Sequence, residues 1–373
     1  MNILFYTPFN LRSRDTESLM EAFIKQGHKV SVLTQAEEGV YHENCRKLGV
    51  DVYTHVLTKK NSFVYFIKHT LYLIKFCKKN KIDVLYAHLE TAGLPAVLAQ
   101  YFIKAKVFAC RHVIDEAYLF NSKNFVILTR IVYFFAKNII VVSNRCKQFM
   151  MDVESVSEKK IRVIFLAYNF KLYQEPNKDT VAEIKNKYPA DILLIVACRL
   201  VAPKRTELAI NVTKKLIEKG INAKMIILGT GPDFEKIKEY IVNNNMSNYI
   251  FMEGFKLNVM DYLSASDILI HPSLSDSSSV IIKEAGLNKK VVMACEGIGD
   301  VDDYLVNGQN AILVSKENTE PQMIEAVIEL SKNKGKMEAL GNNLHAIVSE
   351  RFSINNILTT YDKIHNAIQN KTK

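Results

Sequence analysis

The sequence predicts an α/β protein built from two doubly wound parallel sheets, and three observations lead there. Short apolar runs alternate with amphipathic segments along nearly all 373 residues, the pattern of repeated βαβ units. That length suits two domains of about 150 residues better than one small core. Between two series of runs lies a polar stretch, NFKLYQEPNKDTV, residues 169–181, without hydrophobic period. It sets the predicted boundary, with a first domain over 1–168 and a second over 169–353.

In the first half the runs predict strands at Asn2–Thr7, Lys29–Thr34, Asp51–His55, Asp83–Ala87, Lys106–Cys110, Ile139–Ser143 and Ile161–Phe165. Helical segments fall between most of them. A second series follows at Asp191–Ala197, Ala223–Leu228, Tyr249–Met252, Ile268–His271, Lys290–Met293 and Ala311–Val314. In such sheets ligands bind beyond the carboxyl ends of strands, so two facing lobes make a cleft and functional residues are expected just after strands.

Composition narrows the class. With 48% hydrophobic and 24% charged residues, the chain is an ordinary globular protein rather than a collagen-like, coiled-coil or disordered one. Cys45, Cys77, Cys110, Cys146, Cys198 and Cys295 form no C-x-x-C pair and read as reduced thiols of a cytosolic protein. The opening MNILFYTPFN reads as a first strand, not a secretory leader, and Arg130, Lys137 and Asn138 break the most membrane-like run, 125–142. A cytoplasmic protein is expected. The net charge of +10 is uneven: residues 1–180 carry 26 Lys and Arg against 16 Asp and Glu, and residues 181–373 carry 23 against 23. The first half is therefore expected to meet an anionic ligand or surface.

Several post-strand segments hold candidate chemistry. Gly229-Thr230-Gly231-Pro232 follows a strand and opens a helix, with Pro232 suited to its first position; it reads either as a close approach to an anion or as a plain tight turn. No complete G-x-G-x-x-G or P-loop is present, which disfavours a dinucleotide oxidoreductase and a P-loop kinase. In ACRLVAPKR, Arg199 and Lys204 can clamp a diphosphate or serve only solubility.

In HPSLSDSSSVIIKEAG, Asp276 and Glu284 offer carboxylates to hydroxyl groups. Ser277, Ser278, Ser279 and Val280 there start a helix with unpaired amides; a simple cap with a surface Glu is the alternative. Arg111-His112 and His88 follow two strands and are acceptor-side candidates or structural residues. Asp300-Val301-Asp302 resembles a metal-binding D-x-D, but acids at a helix start are expected anyway.

The ordered set ACRLVAPKR, LGTGP, FMEGF, YLSASDILIHPS, the D-x7-E of Asp276 and Glu284, and EGIGDVDDYLVNGQNAILV resembles retaining glycosyltransferases of family 4. In the first half GHKVSVLT, CRH, VVSNRCKQFM and IRVIFLAYN are similar in position and type. The resemblance implies the GT-B fold, two Rossmann-like domains facing across a cleft. It implies transfer of a sugar from a nucleotide-sugar, with no cofactor and no metal; UDP is the expected donor base over GDP. By motif position Arg199 and Lys204 would neutralise the diphosphate, Glu284 would hold the ribose and Phe255 would lie by the base. Gly229 and Gly231 belong to the donor side, Asp276 with the amides of 278–280 would face sugar and β-phosphate, and His112 would stand next to the reacting carbon.

The helix at about 354–373 would cross back onto the first lobe. Asp276 stands where Glu is usual, Asp300 replaces the second Gly of a usual pair, and Lys289 stands where Gly is common.

The segment KKNSFVYFIKHTLYLIKFCKKNK, residues 59–81, sets Lys68, Lys75 and Lys79 on one helical stripe among Phe63, Phe66, Ile67, Leu71, Ile74 and Phe76. It suits an interfacial helix on anionic lipid or a helix packed on the sheet with a solvated stripe. The expected function is extension of a glycan or lipid-linked glycan in bacterial surface-polysaccharide synthesis, at the inner face of the plasma membrane. A sugar-nucleotide epimerase of the same fold and an inactive partner subunit are the competing readings. Nucleic acid is not an expected partner, because no recognition motif accompanies the charge.

Overall fold

A computed structural model of the protein describes residues 1–58, 62–115, 118 and 122–370; Lys59, Lys60 and Asn61 of the basic segment and the last three residues of the C-terminal helix prediction lie outside them. The chain forms two compact units, Met1–Phe170 with Phe352–Lys373, and Lys171–Arg351.

The first unit is built on seven parallel strands: β1 (Asn2–Thr7), β2 (Lys29–Thr34), β3 (Asp51–Thr54), β4 (Val84–His88), β5 (Lys106–Arg111), β6 (Ile139–Val141) and β7 (Ile161–Val163). Their order is β3-β2-β1-β4-β5-β6-β7, with Ile3 registered on Val30 to one side and Val84 to the other. Order reverses between β1 and β4, which opens a crevice at their carboxyl ends. Both faces are covered, so the strands are near-continuous apolar runs.

Leu19, Met20 and Phe23 of helix Arg14–Lys25 pack on one face, joined by Ile354, Ile357 and Tyr361 of helix Ile354–Gln369. That last helix is seated by Tyr168, whose N–H donates to Phe352 O at 2.9 Å and whose carbonyl accepts from Ile354 N at 2.9 Å. Helices Ser62–Lys79 and Leu89–Ala99 cover the other face through Leu73, Phe76, Ala92 and Ala96. Helix Lys123–Phe135 packs beside Leu89–Ala99 and adds Val132 and Tyr133.

The second unit carries β8 (Ile192–Ala197), β9 (Ala223–Leu228), β10 (Ile250–Gly254), β11 (Ile268–His271), β12 (Val291–Cys295) and β13 (Ile312–Val314), all parallel, in the order β10-β9-β8-β11-β12-β13. Its reversal lies between β8 and β11.

Several predicted edges move. The strand predicted to reach Ser143 ends at Val141, because Ser143 leaves the ladder to cap helix Asn144–Asp152, its Oγ accepting from Cys146 N at 3.1 Å. β12 runs two residues past its predicted end, since Cys295 still pairs with Val314. Pro232 does not begin a helix; Asp233 precedes the helix Phe234–Asn243. The polar stretch 169–181 is helical from Lys178 onward, because Asn177 Oδ1 accepts from the N–H groups of Asp179 and Thr180 at 3.0 Å.

Candidate active site

In the second unit, the loops after β8 and β11 interlock. The short turn Ala202–Lys204 follows β8, and its Pro203 carbonyl accepts from Leu274 N at 2.8 Å. This brings Lys204 Nζ to 2.8 Å from Asp276 Oδ2 and 3.1 Å from Ser275 O. His271 Nε2 lies 3.2 Å from the same carboxylate oxygen, and Asp276 Oδ1 accepts from Ser277 N at 2.9 Å. Burial pushes the Asp276 carboxyl up, but His271 and Lys204 outweigh it and hold the group well below the usual carboxylate range. Asp276 is thus a fixed anion beside a fixed cation at the sheet's reversal.

Arg205, which the motif reading passed over, braces this arrangement. It adopts a left-handed backbone at φ 48°, and its guanidinium donates to Pro272 O at 2.7 Å and Thr319 Oγ1 at 2.9 Å. Such backbone strain persists where surrounding contacts over-determine it.

Helix Val280–Leu287 is capped by Ser279, so the amides of Ser279 and Val280 lie at a helix N-terminus, where an anion is favoured, and Ser278 stands just before the cap. Glu284 is buried one turn further on. Beneath this N-terminus lies a buried group invisible to motif reading: Lys283 Nζ sits 2.5 Å from Asp300 Oδ2 and 2.9 Å from Ser278 Oγ, while Ser278 Oγ donates to Asp300 at 2.6 Å. Burial lowers the Lys283 ammonium and raises the Asp300 carboxyl against the pull of their ion pair. Asp300 therefore sits inside, and Asp302 Oδ1 accepts from Gly297 N at 2.9 Å; the D-x-D places its two acids on separate partners. Gly299, at φ 60°, lets this turn close on the loop: a Cβ there would stand 3.0 Å from the carbonyl oxygens of Asp276 and Ser277.

The glycines of GTGP serve a different contact from the one their turn suggested. A Cβ on Gly229 would lie 1.9 Å from Cys198 O, and one on Gly231 would lie 2.3 Å from Leu200 O. What these glycines admit is the neighbouring loop, whose Leu200 N donates to Thr230 O at 3.0 Å. Arg199, on that loop, is exposed, with no hydrogen bond to its guanidinium among the described residues. Phe255 is exposed just past β10.

In the first unit, His88 ends β4 and His112 follows β5. His88 Nδ1 is 2.7 Å from His112 Nε2, and the rings stack at 5.0 Å. His88 also stacks on Phe5. Burial, then the adjacent imidazole, drives His88 well below the ordinary histidine range; burial also lowers His112, opposed by Asp15. Both rings are neutral near pH 7, so one donates its N–H to the other. Leu89, beside them, holds φ 64°.

Arg111 does not join the pair. Its side chain turns into the core, where Nη1 meets Glu154 Oε2 at 2.5 Å, Nε donates to Val113 O at 2.7 Å and Nη2 donates to Ile114 O, leaving a structural ion pair rather than an acceptor contact. A buried guanidinium demands this full set of partners.

Two parallel-sheet units, each with its polar side chains gathered beyond the strand ends where the order reverses, define a GT-B glycosyltransferase. The chain belongs to glycosyltransferase family 4: the family model "Glycosyltransferase Family 4" matches residues 13–169 and "Glycosyl transferases group 1" matches residues 177–345.

Among curated proteins it is similar to an uncharacterized glycosyltransferase of Methanocaldococcus jannaschii, 25% identical over 66% of this chain and 67% of that one. The GPI3 subunit of phosphatidylinositol N-acetylglucosaminyltransferase from Saccharomyces cerevisiae is 23% identical over 78% of this chain and 65% of its own. This chain thus spans about two thirds of the length of these relatives. N-acetyl-alpha-D-glucosaminyl L-malate synthase of Bacillus anthracis is 20% identical over 91% and 90% of the two chains.

Among solved structures, Anabaena Alr3699/HepE in complex with UDP superposes with a TM-score of 0.83 at 16% identity, over 98% of this chain and 100% of that one. TarM superposes at 0.78 with 13% identity, over 98% and 99%.

Proposed function

We propose that this glycosyltransferase moves a sugar from a UDP-sugar to a glycan or lipid-linked glycan, with retention at the anomeric carbon, in bacterial surface-polysaccharide synthesis. The single observation that carries the reading is the Lys204–Asp276 pair beside the N-terminus of helix Val280–Leu287. An ammonium has three donors, and Asp276 and Ser275 O take two, so a third remains for a phosphate oxygen. Arg199 supplies a second cation on the same loop. As the sugar–phosphate bond breaks, negative charge builds on the departing diphosphate. Preplaced cations and helix amides stabilise it there more than in the ground state.

In this reading Glu284 accepts from the ribose hydroxyls and Phe255 lies against the base. Asp276 orients the sugar hydroxyls, and the neutral His112, held by His88, contacts the sugar on the acceptor side. The charge on the leaving group is thereby met by this chain's own residues. UDP is favoured over GDP because HepE was crystallised with UDP and with UDP-glucose, and TarM with UDP. N-acetylglucosaminyl transfer by the yeast and Bacillus relatives supports a hexosamine or hexose donor. Among the described residues no helix is long and apolar enough to cross a membrane. In this reading a lipid-linked acceptor is met at the inner membrane face.

The test is thermal denaturation with UDP, GDP, ADP and their sugar conjugates on the protein and on Glu284→Ala, followed by NMR of the product anomer. Stabilisation by UDP conjugates, lost in the variant, with retained configuration, is expected. Donor consumption without acceptor and without UDP release would mark an epimerase, and no shift with any nucleotide would mark an inactive partner.

A further inference from the structure

Helices Ser62–Lys79, Leu89–Ala99 and Lys123–Phe135 lie side by side on one face of the first sheet. Their inward residues make the core, yet their outward residues are not those of a solvated layer. Phe63 is 74% exposed, Leu71 62% and Phe134 73%, with Ile67, Ile127, Ile131 and Phe135 also in solvent. Soluble surfaces seldom present so many large apolar side chains together. The three helices contain one acid, Glu90, and it is buried, accepting from Tyr133 OH at 3.2 Å. Lys68, Lys75, Lys78, Lys79, Lys123 and Arg130 are all exposed on them.

At the amino-terminal edge of the sheet this layer ends in a cavity of about 600 Å³, lined by Lys78, Lys81 and Lys104 with Tyr101, Phe102 and Ile103. None of the three lysines has a carboxylate partner among the described residues. The cavity's one acid, Asp83, is engaged by Asn2 N at 2.7 Å. Phe102 is 63% exposed at the rim. The rim is continuous with the third helix: Gln100 Nε2 donates to Phe135 O at 2.9 Å, and Lys137 Nζ stands 4.3 Å from the Tyr101 ring.

We propose that this helical face is a docking surface for an anionic phospholipid bilayer, with the Lys78–Lys81–Lys104 cavity receiving one headgroup phosphate. Exposed rings amid unpaired lysines, with no acid facing out, match the interface of such a bilayer, where apolar side chains enter the acyl boundary and ammonium groups meet phosphates. A protein-binding core would be poor in lysine. The inference goes with the proposed lipid-linked acceptor, but its lysine cavity lies before β4 and β5, at the opposite end of those strands from His88 and His112.

Vesicle cosedimentation tests it, with phosphatidylglycerol–phosphatidylcholine against pure phosphatidylcholine. The full chain is expected to pellet with the anionic vesicles alone. Lys78→Glu/Lys81→Glu/Lys104→Glu should weaken binding about a hundredfold or more, at roughly fivefold per lysine. Phe102→Ser/Phe134→Ser should weaken it about tenfold. Lys332→Glu/Lys334→Glu, on the second unit, should leave it unchanged.

All substituted residues are exposed, and thermal melting checks the fold. The proposal fails if the anionic vesicles do not bind, or if the cavity variants bind as the parent does. It fails too if the control pair matters equally, if millimolar inorganic phosphate displaces the vesicles at constant ionic strength, or if the variants change only the sedimentation velocity of the protein. UDP stabilisation, measured on the same variants, is expected to persist; its absence in the parent would count against the transferase reading and not against this surface.

Discussion

Lys204 Nζ stands 2.8 Å from Asp276 Oδ2, joining the loop after β8 to the loop after β11 across 72 positions of sequence. The pair makes each residue's position depend on the other. Lys204→Met should lower kcat by about 10²–10³, the range for removing one charge-stabilising donor. Asp276→Asn should cost a similar factor, and the double variant much less than the product of the two, because each single change also disorders its partner. Steady-state release of UDP from the four proteins measures this coupling; simple additivity would show that the two residues act separately.

Glu284 is buried in helix Val280–Leu287, and Glu284→Gln keeps its shape while removing its charge, so the change should act chiefly on nucleotide affinity. Glu284→Gln is expected to weaken UDP binding about tenfold or more, the loss of one or two charge-assisted hydrogen bonds. Calorimetric titration with UDP checks it, and an unchanged Kd would remove Glu284 from the nucleotide site.

His112 and His88 are linked at 2.7 Å. His112→Phe is expected to lower kcat at least tenfold while leaving UDP affinity untouched, since nucleotide binding is assigned to the second unit. His88→Phe keeps the stacking on Phe5 but removes the nitrogen that orients His112, so it should lower kcat less and flatten the acid limb of the pH–rate profile. Equal losses of UDP affinity in both variants would overturn these roles.

Acid should destabilise the first unit. Burial, then a neighbouring imidazole, lowers His69 and His365 to about 4, against about 6.5 for an unfolded chain. The unfolded state therefore takes up protons first. This contribution is fully present above about pH 6.5 and is lost as pH falls towards 4, by up to about 1.4 kcal/mol per pH unit for each histidine. Asp276, whose folded carboxyl is depressed, acts in the same direction at lower pH, its contribution being present above about 3.9. Urea midpoints should fall from pH 7.5 to 5, and His69→Gln should lessen the slope; a flat profile would refute this.

Lys289 ends helix Val280–Leu287 in the left-handed region at φ 56°, exposed, with no side-chain hydrogen bond among the described residues. Lys289→Gly relieves that strain at the cost of a more flexible unfolded chain. A net gain of about 0.5–1 kcal/mol and a melting point higher by a few degrees are expected. A lower melting point would show that the lysine stem contributes packing.

The strand series and their loops were legible because they rest on local pattern. β1, β2, β9 and β11 begin and end where their apolar runs do. The exceptions are the places where a distant partner intervenes. Arg111 ends β5 beside His112, but Glu154, 43 positions later, pairs with it in the core. Lys283, on a short helix, is held inside by Asp300, 17 positions later. On helix Ser62–Lys79, periodicity placed Phe76 and Leu71 in one apolar set, whereas Phe76 is buried and Leu71 is in solvent.

By itself, then, the sequence determined the αβ alternation, the two parallel sheets and the segments just past the strands that carry Arg199, Lys204, Asp276, Glu284 and His112, with His88 at a strand end, because hydrophobic period and turn chemistry act over a few residues. Only the tertiary structure decided which loops touch: that Gly229 and Gly231 admit a neighbouring loop, that Lys204 meets Asp276, and that three helices leave an apolar, lysine-studded face outward. Contacts between residues tens of positions apart depend on strand order and on the burial each side chain finds there, and neither leaves a local trace.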